Sequence, residues 1–240
     1  MSLKKFLLIL ISCFSCTFAS AQYNFYKLSY GAGVGAAMAF GDLPKNYIRP
    51  VGLAYFNYHP TPYSSLGLEI QKGYLSGGHP DDINIDPHLR YYKNSFAAIN
   101  FNGKIELAQM IDLRRGDNLY ALRGFYVGAG IGIINSKMTE LKRTKLLNSN
   151  NPAEGEYKFF LSGEGIDLSI PVNTGINFVF EDKWGYTKYS LNFNYQINKV
   201  LGEKIDGYDD PSNVFKNKHS DFYGVTSIGF KFFFGPEGIY

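Results

Sequence analysis

The stretch "YGAGVGAAMAF", residues 30–40, fits three patterns, and the choice among them decides the fold. Gly31, Gly33 and Ala36 match the dinucleotide-binding G-x-G-x-x-G/A, Gly31 and Gly35 match the G-x-x-x-G of packed membrane helices, and glycine at alternate positions matches a β-strand. Widening the window to 26–40 separates them. Tyr26, Leu28, Tyr30, Ala32, Val34, Ala36, Met38 and Phe40 fall on one face, and Lys27, Ser29, Gly31, Gly33, Gly35, Ala37 and Ala39 on the other. This is a period of two, and it runs too long for the strand that enters a nucleotide-binding turn.

The same alternation recurs along the chain. Residues 51–58 carry Val51, Leu53 and Tyr55 against Gly52 and Ala54; residues 64–75 set Leu66, Leu68, Ile70 and Tyr74 against Gly67, Glu69, Gln71 and Gly73. Ile99, Phe101 and Ile105 alternate with Asn100, Asn102, Lys104 and Glu106 in 96–107, and 123–134 repeats the opening motif as "GFYVGAGIGII". In 164–180, Ile166, Leu168, Ile170, Val172, Ile176 and Phe178 oppose Asp167, Ser169, Asn173, Gly175 and Asn177. Tyr189, Leu191, Phe193, Tyr195 and Ile197 alternate with Lys188, Ser190, Asn192, Asn194, Gln196 and Asn198 in 187–199, and 222–234 sets Ile228, Phe230, Phe232 and Phe234 against Gly229 and Lys231, with Phe233 out of pattern.

Most of these segments reach the roughly 9–11 residues with which a tilted strand crosses a membrane. The polar faces are rich in Gly, Ala, Ser and Asn, which suits the narrow lumen of a small barrel. The connectors alternate in length: short at 59–62 ("HPTP") and 181–185 ("EDKWG"), middling at 108–120, and long near 76–95, 138–160 and 200–221. Short inner turns, longer outer loops and an even strand count predict an eight-stranded antiparallel up-and-down transmembrane β-barrel, apolar face to lipid and polar face to the lumen.

Composition agrees. The 240 residues include 19 Tyr and 20 Phe but one Trp, a bias toward strands. "MSLKKFLLILISCFSCTFASAQ" has two lysines, an apolar run from Phe6 to about Phe18 and Ala19-Ser20-Ala21, the layout of a secretory signal cleaved after Ala21. Residues 22–240 then form one barrel domain. Leu10-Ile11-Ser12-Cys13 offers a competing lipobox reading, in which Cys13 would be lipidated. Cys13 and Cys16 both lie in this leader, so the mature chain has no thiol for a disulfide or a metal. Removing Lys4 and Lys5 leaves 22 basic against 21 acidic residues, which argues against nucleic acid as a partner.

With "FGDL" (40–43), "YLSGG" (74–78), "YVGAGIGI" (126–133) and "IPVNTGINF" (170–178) in or ending its strands, the chain resembles the PorG-type small barrels of type IX secretion-bearing bacteria, and more loosely the OmpA and OmpW barrels. The resemblance covers nearly all of the mature chain. It implies a non-enzymatic Gram-negative outer-membrane protein without a cofactor, acting as a scaffold or secretion accessory through protein partners at its periplasmic turns or outer loops. An OmpW-like narrow channel for small or apolar molecules is the alternative, and a barrel enzyme the third reading.

Six charges fall on polar faces: Glu69, Lys104, Glu106, Asp167, Lys188 and Lys231. In a narrow lumen each must be paired or hydrated, so they read as a plugging salt-bridge network, with Glu69 of the third strand meeting Lys104 of the fourth. Lys137, Lys142, Arg143 and Lys145 form a basic segment able to meet phosphate groups of outer-membrane lipids. The four histidines, His59, His79, His88 and His219, fall in connectors, which makes His219-Ser220-Asp221 and His79 with Asp81 and Asp82 the groups to inspect for catalysis. Asp81, Asp82, Asp86, Asp206, Asp209 and Asp210 could supply oxygen ligands to calcium, without the spacing of an EF-hand. "RGD" at 115–117 reads as an inner turn.

Overall fold

A computed structural model describes residues 24–41, 43–111, 122–159, 164–202, 204–208, 211, 213–215 and 221–239. The leader (1–21), "RGD" (115–117), Asp209, Asp210, His219 and Ser220 lie outside the described residues. Eight long strands follow in order: β1 (Asn24–Phe40), β2 (Arg49–Thr61), β3 (Ser64–Gly78), β4 (Tyr91–Glu106), β5 (Phe125–Leu141), β6 (Gly165–Glu181), β7 (Thr187–Val200) and β8 (Phe222–Ile239). Each pairs antiparallel with its sequence neighbours, and β1 pairs with β8 from Asn24↔Ile239 to Phe40↔Phe222. The sheet is therefore a closed ring whose backbone groups are satisfied strand to strand, as a bilayer demands. Among the described residues no helix is long and apolar enough to cross a membrane. The crossing is made by strands.

One end carries the start of β1, the end of β8 and the tight connections at 62–63 and 182–186; the other carries the connections 41–48, 79–90, 142–164 and 201–221. They are called the turn end and the loop end below. Outward residues are apolar and exposed, including Tyr30, Val34, Leu68, Ile70, Ile99, Phe101, Val127, Ile131, Leu168, Val172, Phe193 and Phe230. Inward residues such as Glu69, Gln71, Asn100, Lys104, Ser169, Asn173, Asn192, Gln196 and Lys231 are buried. The expected alternation thus holds on seven strands.

β2 is inverted. Val51, Leu53 and Tyr55 are buried in the lumen, and Gly52, Ala54, Phe56 and Tyr58 face out. An alternating pattern identifies two faces without saying which is inside, and here both carry apolar groups. His59 is likewise not in a connector: it lies in β2, buried, with its Nε2 at 2.9 Å from the Ser29 hydroxyl and its ring 5.0 Å from that of Phe233. Phe233, out of alternation in the sequence, is an inward group at the turn end.

The inverted strand reflects an interior divided in two. Toward the loop end the lumen is an apolar core in which Leu53, Leu75, Phe96, Ala98, Ile134, Val200, Tyr223 and Val225 are buried, continuous with Leu43, Phe159, Ile205 and Tyr208 from the loops. Toward the turn end it is polar. Tyrosines lie over the lumen glycines: a methyl group at Gly229 would stand 2.9 Å from Tyr55 Cε2, and one at Gly175 would stand 2.6 Å from Tyr126 Oη. Of the opening glycines, Gly33 serves the same purpose, since a methyl there would sit 2.8 Å from Tyr55 Oη.

Candidate functional site in the lumen and at the loop end

The polar half of the lumen gathers four of the six expected charges. Lys104 Nζ stands 3.9 Å from Glu69 Oε2, an ion pair too long for a hydrogen bond, while Glu69 Oε1 accepts from Gln71 Nε2 at 2.6 Å. Glu106 Oε1 accepts from Asn177 Nδ2 at 2.6 Å, and Lys231 Nζ reaches Asn177 Oδ1 at 3.5 Å. Two lysines and two glutamates make this cluster neutral.

Two tyrosines brace it. Tyr126 Oη donates to Asn194 Oδ1 at 2.7 Å and accepts from Asn192 Nδ2 at 2.9 Å, and its ring lies 5.2 Å from Lys104 Nζ. The Tyr55 ring lies 5.8 Å from Lys231 Nζ. Such ring faces attract an ammonium held away from water. Neither tyrosine stands out in the sequence: Tyr126 shares the parity of the glycines in 123–134, whereas Tyr55 falls on the face that reads as lipid-facing, and only the register sets them opposite Gly175 and Gly31.

The other two charges lie apart. Asp167 sits at the loop end, 3.1 Å from Lys204 of the last loop. Lys188 lies at the turn end over the Tyr26 ring at 5.1 Å, where register shifts between Tyr26 and Leu28 and between Thr187 and Tyr189 displace both strands. The expected network is thus a four-charge cluster with two separate outliers.

A cup opens at the turn end and reaches this cluster. Lys104, Glu106, Lys231, His59, Phe25 and Phe233 line it. Arg123 at its rim pairs with Glu181 at 3.1 Å. Beyond the cluster toward the loop end the Tyr223 hydroxyl donates to Gln71 Oε1 at 3.3 Å, and its ring packs 5.3 Å from that of Phe96. The apolar core starts there.

The loops form a canopy over that core. Asp86 receives Arg90 Nε at 3.1 Å and the Arg90 backbone N–H at 2.7 Å, with both side chains buried. The Tyr208 hydroxyl accepts the Tyr91 N–H at 3.0 Å and donates to the Lys142 carbonyl, tying three connections together. Burial holds that hydroxyl well above the ordinary phenol range, so it stays protonated. Asp221 Oδ2 accepts the Ile205 N–H at 3.2 Å, a structural task for the one described member of His219-Ser220-Asp221. Asp82 accepts both the backbone and side-chain N–H of Asn84, which holds its carboxyl below the usual range. Asp86 and Asp206 are therefore built into the canopy, and among the described residues no three His, Cys, Asp or Glu side chains gather as a metal site would require.

The basic segment divides too. Lys137 is exposed on the outer wall of β5 and Arg143 is exposed in the loop. Lys142 Nζ donates to the Pro80 carbonyl at 3.1 Å, and Lys145 is buried with its ammonium 4.0 Å from the Phe215 ring. Lys145 faces into the canopy, so it cannot meet lipid phosphate.

No protein-family profile and no curated protein matches the sequence. Among solved structures the chain is similar to Neisserial surface protein A (11% identity over 90% of this chain and 100% of that one, TM-score 0.45). It is also similar to Ail, the attachment invasion locus protein of Yersinia pestis, solved with the heparin analogue sucrose octasulfate (10% identity, 86% and 97%, TM-score 0.39). A third is CarO of Acinetobacter baumannii (15% identity, 84% and 97%, TM-score 0.36).

Proposed function

We propose that this protein is a non-enzymatic outer-membrane barrel that works as a scaffold, through its exposed turns and its canopy, and does not conduct. The observation that carries the reading is the packed loop-end half of the lumen. Phe96, Leu75, Ile134, Tyr223 and Val225 are buried against one another where a pore would need an open polar path. By the rule that short turns and termini face the periplasm, the canopy is extracellular and the turns at 62–63 and 182–186 are periplasmic. Trp184, 85% exposed at the second turn, is placed to anchor the barrel in the membrane interface or to meet a partner. The PorG resemblance suggests that such a partner is a secretion component.

A narrow channel is the second reading, favoured by the cup that reaches Lys104 and Lys231 from the turn end. Planar-bilayer recording separates the two. The scaffold predicts no unitary current from wild-type protein, and steady ion conductance would instead establish the channel. Co-purification from native membranes with mass spectrometry then identifies what the turns or canopy hold.

A further inference from the structure

The outer wall carries cations near the loop-end margin of the apolar belt, where Tyr74 is the last exposed aromatic of β3 and faces Ser95 in register. On β3 the outward series Leu66, Leu68, Ile70 is followed by Lys72; on β5 the series Ile131, Ile133 is followed by Asn135 and Lys137. Between them on β4, Ile99 and Ala97 lead to Ser95. Lys72 pairs in register with Ala97, and Ser95 pairs directly with Lys137. Lys72 leans toward the loop end and donates from Nζ to Ser95 Oγ at 3.2 Å. Directly opposed residues have Cβ atoms about 5 Å apart, so the Lys137 side chain leaves the wall beside the hydroxyl that holds Lys72. Neither lysine has an ion pair with a described carboxylate, and the nearby Glu140 is bound to Lys93 at 3.0 Å and to the Tyr91 hydroxyl at 3.2 Å.

The level of this cluster is set by its neighbour. β6 stays apolar and exposed up to Ile166, which pairs with Asn135, so Lys137 lies one outward position past the last lipid-facing isoleucine. A lysine there places its ammonium in the headgroup layer with its stem along the hydrocarbon. The groups in that layer that match two neighbouring lysines without a carboxylate partner and a hydroxyl are phosphates.

We infer that Lys72, Ser95 and Lys137 form a site for the phosphate of an outer-leaflet lipid, bound on the barrel wall. The site rests on the membrane-spanning fold and is independent of whether the lumen conducts.

The test is native mass spectrometry of the full-length barrel in detergent, with diphosphoryl lipid A or its phosphate-free counterpart as probe. Wild type should retain the phosphorylated lipid preferentially. Lys72→Gln and Lys137→Gln should each lower retention about fivefold, the double variant should abolish the preference, and Lys→Arg at both positions should restore it. Lys183→Gln, which removes an exposed cation at the opposite, turn end, should change nothing. Equal retention of the two lipids by wild type, or an unchanged preference in the double variant, overturns the site. So does displacement of the lipid by inorganic phosphate alone, which would mark a free-ion site. A heat-dependent gel shift checks that each variant is a folded barrel, and the wild-type lipid comparison stands even if a variant does not fold.

Discussion

Lys104 and Glu69 meet at 3.9 Å although neither faces the other in the β3–β4 ladder: Lys104 is opposite Ser65, and Glu69 is opposite Asn100. The lysine reaches along the lumen past a full pleat, and the Tyr126 ring lies beside its ammonium. Lys104→Ala removes the one cation that, among the described residues, is in ion-pair range of buried Glu69 and should destabilise the barrel by about 3 kcal/mol. Glu69→Gln with Lys104→Gln should recover most of that loss, because no charge is then left unpaired. Urea titrations of the folded, heat-modifiable band measure both. If Lys104→Ala were silent and also raised bilayer conductance, the lumen would be hydrated and the scaffold reading would fail.

How much of this could be read from the sequence depends on which physical signal each part left. The strands were legible because alternation is a local property, and the Glu69–Lys104 hairpin because adjacent strands pair in order. The polar half of the lumen followed from parity alone. The apolar half did not: Val51, Leu53 and Tyr55 look like a lipid face until Phe56 and Tyr58 are seen to continue the outer wall beside Tyr30 and Leu28. The canopy left almost no signal, since the Asp86–Arg90 pair and the Tyr208 bonds join loops whose approach depends on the closed ring. Lys72 leaves no signal because one lysine at an outward position means little until the register sets it diagonally from Ser95, whose partner on β5 is Lys137.

The inversion of β2 predicts opposite responses at neighbouring positions. Leu53→Ala should open a cavity in the loop-end core and cost about 2–4 kcal/mol, whereas Ala54→Leu adds apolar surface to the lipid face and should be near neutral. Unfolding midpoints of the two variants check this. The reverse ranking would put Leu53 outside.

On β7 the faces should differ in kind as well as size. Phe193→Arg sets a charge on the lipid wall and should cost about 2–4 kcal/mol near the midplane. Asn192→Ser loses bonds to Tyr126 Oη and Asn177 Oδ1, both 2.9 Å, and should cost about 1–2 kcal/mol at roughly 1 kcal/mol per bond. Refolding yield into lipid vesicles should rank wild type, Asn192→Ser, Phe193→Arg.

Tyr55 and Gly229 should behave as a coupled pair. The nearest atoms to a methyl group at Gly229 are Cε2 and Oη of Tyr55, at 2.9 and 3.0 Å, so Gly229→Ala must displace the ring or strain β8 and should cost about 1–3 kcal/mol. In a Tyr55→Leu background the same change should be nearly free. A double-mutant cycle with no coupling would show that the ring does not lie over that glycine.

His88 should make the canopy pH-dependent. Its Nδ1–H donates to the Leu146 carbonyl at 2.9 Å and its ring stands edge-on to Phe215. Burial, with the cations of Lys145 and Arg90 nearby, lowers its pKa below the ordinary 6.5, against the opposing pull of the Leu146 bond and Asp86. Because the folded value lies below the unfolded one, the unfolded loop takes up the proton first as pH falls. Stability from the neutral ring is therefore present above about pH 6.5 and is lost progressively below it. Hydrogen-exchange protection in residues 142–159, corrected for the intrinsic base-catalysed rate, should fall on acidification through that range. His88→Gln keeps an N–H for Leu146 but cannot titrate, so it should flatten the profile. An unchanged acid response in His88→Gln would assign the effect to the loop carboxylates instead.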